Sequence, residues 1–164
     1  EAAFLGEPVL ARALIDGKAD VNRATRSGWT PLHLAAVCAR GDIAELLLSH
    51  GAEVSARDHM GATPLHWIAV ATSAGVKIDF MSSWIDNVEI HGWISGESYL
   101  AFARLLVSNK ADVNVADSKG RTPLALALKG AGEEIHPGSS EYGHYLRKKY
   151  EAIADLLRGA EGRE

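Results

Sequence analysis

The sequence predicts an all-α solenoid of helix–turn–helix repeats joined by finger loops, about three and a half repeats long. Three observations predict it. The block Thr30-Pro31-Leu32-His33 returns as Thr63-Pro64-Leu65-His66, and 63 − 30 = 33. The phrase Lys18-Ala19-Asp20-Val21-Asn22 is followed by Gly51-Ala52-Glu53-Val54-Ser55, and 51 − 18 = 33 again. Within each period the apolar residues recur at helical spacing. Two unrelated phrases on one beat mark a repeat array, in which each unit buries its apolar face on its neighbours.

The repeat over residues 25–57 sets the register. Thr30 is a good N-cap, and Pro31 falls at the first helical position, where a missing N–H costs nothing. Leu32, Ala35 and Ala36 face the core, the alanines allowing inner helices to approach closely. Arg40-Gly41 carries a turn, and Asp42 is expected to cap an outer helix whose Ile43, Leu46 and Leu47 form the buried stripe. Gly51 closes that helix.

The repeat over residues 58–116 opens with the same inner-helix residues and closes with Lys110-Ala111-Asp112-Val113-Asn114. The distance 110 − 63 = 47 exceeds 51 − 30 = 21 by 26 residues, an insertion over about 72–97. Residues 117–164 form a C-terminal capping repeat with an insertion at about 131–148. It opens with Thr122-Pro123-Leu124 and then Ala125 in place of histidine. Gly130 to Ser140 reads as a loop, and Glu141 to Arg158 as one long helix with Leu146, Tyr150, Ile153 and Leu157 on one face. At the front, residues 1–24 read as a partial repeat: Ala2-Ala3 matches Ala35-Ala36, and Val9 to Ile15 is an outer helix. A preceding segment is expected, because the opening block of this unit is missing.

The period of 33 residues and the phrase T-P-L-H-x-A resemble the ankyrin-repeat family. The resemblance implies that His33 and His66 are structural, holding backbone and threonine groups between adjacent fingers. It implies protein recognition through finger tips and the exposed side of the inner helices, without catalysis or cofactor. Carried onto this chain, the variable finger positions are Arg26, Ser27 and Trp29, then His59, Met60 and Ala62, then Ser118, Lys119 and Arg121. The groove floor is Val37, Val70 and Lys129. Asp58 and Asp117 fit a structural finger aspartate. Thr25 departs from it, which predicts a looser first finger. Trp29 has a second reading, packing against the next finger.

Composition narrows the function classes. The chain has 164 residues and a net charge of −4 with interspersed signs, which disfavours an electrostatic nucleic-acid binder. No apolar run reaches the length a membrane helix needs. Cys38 is the single cysteine, on an apolar helix face, so no disulfide framework or cysteine metal site is expected. The compartment, cytoplasmic or exported, stays open. His59, His91, His136 and His144 share no metal-ligand spacing. Phosphate loops, G-x-S-x-G and H-E-x-x-H are missing, and Gly92-Trp93-Ile94-Ser95-Gly96 lacks the context of a nucleophile elbow.

The first insertion is the least generic segment. It holds Phe80, Trp84, Val88 and Trp93, and a short helix from Asp79 to Asn87 is expected. Trp84 and Trp93 either pack onto the inner helices or stay exposed as an anchor for a partner. The sequence therefore predicts a monomeric, non-enzymatic protein-binding module with no metal. The alternative is the recognition domain of a larger enzyme or secreted effector. A ligand pocket between the insertion and the groove, near His66, His91 and Glu97, is a third reading.

Overall fold

The computed structural model describes residues 2–71, 96–132 and 140–161. Among them are eight helices: α1 (Ala2–Leu5), α2 (Pro8–Asp16), α3 (Pro31–Val37), α4 (Gly41–Ser49), α5 (Pro64–Ala71), α6 (Gly96–Ser108), α7 (Pro123–Gly132) and α8 (Ser140–Glu161). The described residues contain no strand. Inner helices α1, α3, α5 and α7 stack in one row, and outer helices α2, α4, α6 and α8 in a second.

The stacking follows from residue size. Ala35, Ala36, Ala69 and Ala127 are fully buried on the inner row and let backbones approach. Leu32, Leu65 and Ile68 fill the remaining space from the inner row; Ile43, Phe102, Leu106, Ile153 and Leu157 fill it from the outer row. The triplet Ile43, Leu46 and Leu47 of α4 recurs as Phe102, Leu105 and Leu106 on α6 and as Ile153, Leu156 and Leu157 on α8, but the three are not equivalent along their length. Their first and third residues are buried, whereas Leu105 and Leu156 in the middle pack only partly against the core.

The outer helices α2, α4 and α6 end the same way. Lys18, Gly51 and Lys110 all adopt positive φ, at 63°, 84° and 63°. The amide after each reaches back to Leu14, Leu47 or Leu106, at 2.9, 3.0 and 3.0 Å, as in a Schellman close. Glycine suits this conformation without cost, while the two lysines adopt it under the demand of the repeat.

Three expectations are corrected. Asp42 is not the N-cap of α4; Arg40 is, and Asp42 lies in the first turn with Oδ1 accepting the Ile43 amide at 2.8 Å. There its charge complements the helix dipole instead. The loop expected from Gly130 begins later, because α7 continues to Gly132. Gly130 is needed within that helix: a Cβ there would lie 2.3 Å from the Tyr150 ring, so its absence lets α8 settle on α7. The long last helix runs from Ser140 to Glu161, three residues beyond Arg158. The segment from 72 to 95, with its expected short helix, and residues 133–139 lie outside the described residues, as does the side chain of Leu146.

Candidate functional site

The fingers are three copies of one turn, and a single residue type organises two of them. Asp58 Oδ1 accepts the amides of Met60 and Ala62 at 2.8 and 2.9 Å. Asp117 Oδ1 accepts those of Lys119 and Arg121 at 2.8 and 2.9 Å. At Thr25 the hydroxyl accepts one amide, that of Trp29, at 3.1 Å. The backbone closure is nevertheless the same in all three, with Gly28, Gly61 and Gly120 each donating to the residue three before it at 2.9 Å. The first finger therefore keeps the fold of the others with one side-chain bond fewer.

Fingers are joined edge to edge. The His59 amide donates to the Ser27 carbonyl at 3.1 Å, and the Ser118 amide to the Met60 carbonyl at 2.8 Å. Gly28 makes the first junction achievable: its φ is +82°, and a Cβ there would meet the His59 nitrogen at 2.8 Å. A second seam runs below. Asn22 donates to the Gly51 carbonyl at 3.0 Å and accepts the Glu53 amide at 2.8 Å. Arg57 donates to the Ala116 carbonyl at 2.7 Å.

The histidines form the third seam, deepest in the array. A backbone amide only donates, so the 3.1 Å bond from Thr30 N–H makes His33 Nδ1 an acceptor. The proton then sits on Nε2, which faces the Ala62 carbonyl at 3.2 Å. His66 repeats the pattern, with the Thr63 amide at 3.1 Å and the Arg121 carbonyl at 3.0 Å. Each ring ties its own helix start to the next finger. Both are buried, and desolvation lowers their pKa below the ordinary 6.5. Ala125 stands where no further finger faces the array among the described residues. There the Thr122 hydroxyl accepts the Ala125 amide directly at 3.2 Å.

The residues expected to bind divide into two sets. Arg26, His59, Ser118 and Lys119 are exposed, Met60 is 44% exposed and Ser27 is half-buried. Arg121 is half-buried, its guanidinium held on Asp117 Oδ2 at 2.6 and 2.8 Å. Burial pushes the Asp117 carboxyl up, but the Arg121 guanidinium and the two finger amides outweigh it and hold the group down at about 2. Trp29, in contrast, is 4% exposed. Its ring lies 4.5 Å from Trp67 and 6.2 Å from His33, so its packing role is the one realised. Ala62 is also buried.

On the groove floor, Val37 is 5% exposed and therefore off the accessible surface. Its carbonyl accepts the Tyr99 hydroxyl at 2.8 Å, which brings α6 over the end of α3. Val70 is half-buried and Lys129 exposed. Trp84 and Trp93 lie outside the described residues. Trp67, on α5 and not singled out from the sequence, is the residue the reading missed. Its indole N–H donates to Asp58 Oδ2 at 2.9 Å, linking the aspartate turn to the Trp29 stack. Its position directly after His66 in the repeated helix start was the available signal.

Chemistry is sparse around these residues. Among the described residues no His, Cys, Asp and Glu group together as metal ligands, and no helix is long and apolar enough to cross a membrane. Cys38 is buried, and burial pushes its thiol up to about 11, away from the thiolate a nucleophile needs.

Comparison with known proteins agrees with this geometry. Residues 1–78 match the family of ankyrin repeats, in three copies. Over 135 residues the chain is 28% identical to "Ankyrin repeat, SAM and basic leucine zipper domain-containing protein 1" of Gorilla gorilla gorilla and of Homo sapiens, and 27% identical to that of Pongo abelii. The matches cover 82% of this chain and 24% of each relative, so the chain spans about a quarter of their length.

Proposed function

We infer that this chain, an array of ankyrin repeats, is a non-enzymatic module that binds a protein partner through its finger tips and the concave groove beside them. Ankyrin repeats are generally protein–protein interaction modules and typically non-catalytic. One observation carries the reading here. The tips expose Arg26, His59, Met60, Ser118 and Lys119 from loops whose backbones are already tied by the hydrogen bonds at Ser27 and Met60. Loops ordered before binding lose little entropy on association, which favours recognition by these side chains.

The test is cross-linked capture from a lysate of the source organism, comparing the intact chain with Arg26→Ala/Met60→Ala/Lys119→Ala. Trp29 is left intact because its loss would damage the fold. A partner held by the intact chain and lost by the variant supports the finger surface. Equal capture by both transfers the site to the insertion around Trp84 and Trp93.

A second reading, that this is the recognition domain of a longer protein, is favoured by the 24% of each relative that the chain covers. Those relatives are named for SAM and basic leucine zipper domains beside their ankyrin repeats. The full reading frame decides it: a further domain encoded alongside this segment supports the reading.

A further inference from the structure

We propose that the finger row takes an acidic, extended protein segment, with carboxylates opposite Arg26 and Lys119 and an apolar side chain against Met60. This deepens the protein-binding reading above and rests on it. Charge distribution is the first support. Segments 23–28, 57–61 and 117–121 carry five Arg and Lys against Asp58 and Asp117, a net +3. The whole chain is −4, so the remainder carries −7. The positive balance is thus concentrated where the fingers turn.

The second support is what those charges face. Exposed arginines on α8 have local partners: Arg147 pairs with Glu151 at 3.2 Å and Arg158 with Asp155 at 3.0 Å. Arg26 and Lys119 have no side-chain hydrogen bond or ion pair among the described residues. The two finger carboxylates do not serve them. Asp58 uses Oδ1 on two amides and Oδ2 on Trp67, and Asp117 uses Oδ1 on two amides and Oδ2 on Arg121. Both are turned into the loops they organise. The tips therefore present cations outward with both finger acids already engaged.

The third support is the row's form. Ser27 and His59 are hydrogen-bonded neighbours, as are Met60 and Ser118, so the tips run as a continuous edge across three repeats. An extended segment can lie along such an edge, whereas a single bound residue would meet only one finger. Exposed Met60 between the cationic ends gives a polarisable apolar contact in the middle of the row. Complementary charge of this kind steers encounter and sets specificity.

The experiment is selection of a random dodecapeptide display library on the intact chain and, in parallel, on Arg26→Glu/Lys119→Glu, whose exposed sites leave the core untouched. Circular dichroism confirms that both are folded. The expected result is enrichment of Asp and Glu by the intact chain, and binding of the selected peptides that weakens about tenfold or more in the reversed variant and at raised salt. Selection of neutral or basic peptides, or of acidic peptides bound equally by the variant, overturns the acidic partner while leaving finger-mediated protein binding standing. Recovery of no peptide overturns it too, and the protein-binding reading then stands or falls on the capture experiment. A single-stranded dodecanucleotide that displaces the peptides and binds more tightly would assign the row to nucleic acid instead.

Discussion

Acid should dissolve this array through its two buried histidines before it touches the carboxylates. The folded chain needs His33 and His66 neutral, since each Nδ1 accepts a backbone amide and cannot carry a proton without losing that bond. Burial, the largest cause, lowers both pKa values, against the opposing pull of the Ala62 or Arg121 carbonyl and of nearby Asp58 and Asp117. In the unfolded chain both rings titrate near 6.5. As pH falls below that value, the unfolded state takes up protons that the folded state refuses. Stability is therefore complete above about pH 6.5 and is lost as pH falls from there toward the folded pKa values.

Each ring that differs by a full proton contributes about 1.4 kcal/mol per pH unit, so the pair sets a limiting slope of about 2.7 kcal/mol per pH unit. Asp117, held at about 2, acts only between the ordinary carboxylate range and that value, well below the histidine window. Urea unfolding followed by circular dichroism at pH 7.5, 6.5, 5.5 and 5.0 measures the slope, and His33→Gln/His66→Gln gives the background from other groups. The intact chain should lose stability more steeply than the double variant. Equal slopes would refute the assignment of neutral, Nδ1-accepting rings.

Two further substitutions test the packing. Trp29→Ala should cost about 3–5 kcal/mol in denaturant unfolding, the range for a buried aromatic, because the ring is 4% exposed and stacked on Trp67; a loss under about 1 kcal/mol would return Trp29 to the binding surface. Leu46→Ala, at a side chain 7% exposed between α4 and its neighbours, should cost about 2–5 kcal/mol in the same assay, and a loss under about 1 kcal/mol would show the outer-helix register to be misplaced.

The sequence by itself determined the periodic part of this protein. Thr-Pro-Leu-His fixes a helix start, small inner residues fix close stacking, and Gly51 fixes the left-handed end of α4. These are local chemistries repeated at one interval, and the spacing alone carries them across the chain. The finger aspartates were legible for the same reason, since Asp58 and Asp117 act on amides two and four residues away.

Only the tertiary structure decided which side chains of a finger face outward. Arg26 and Trp29 lie three residues apart in one loop, yet one is exposed and the other is closed over by Trp67 of the next repeat. Val37 is likewise closed off from the groove floor at 5% exposure, and its carbonyl is engaged by Tyr99, 62 residues away in sequence. Gly130 admits the Tyr150 ring from within α7, which continues to Gly132 where composition suggested a loop. Burial at such positions depends on which residue the neighbouring repeat delivers to them. A period specifies that a neighbour exists, but its side chains, varied by insertion and substitution, decide what remains for a partner to touch.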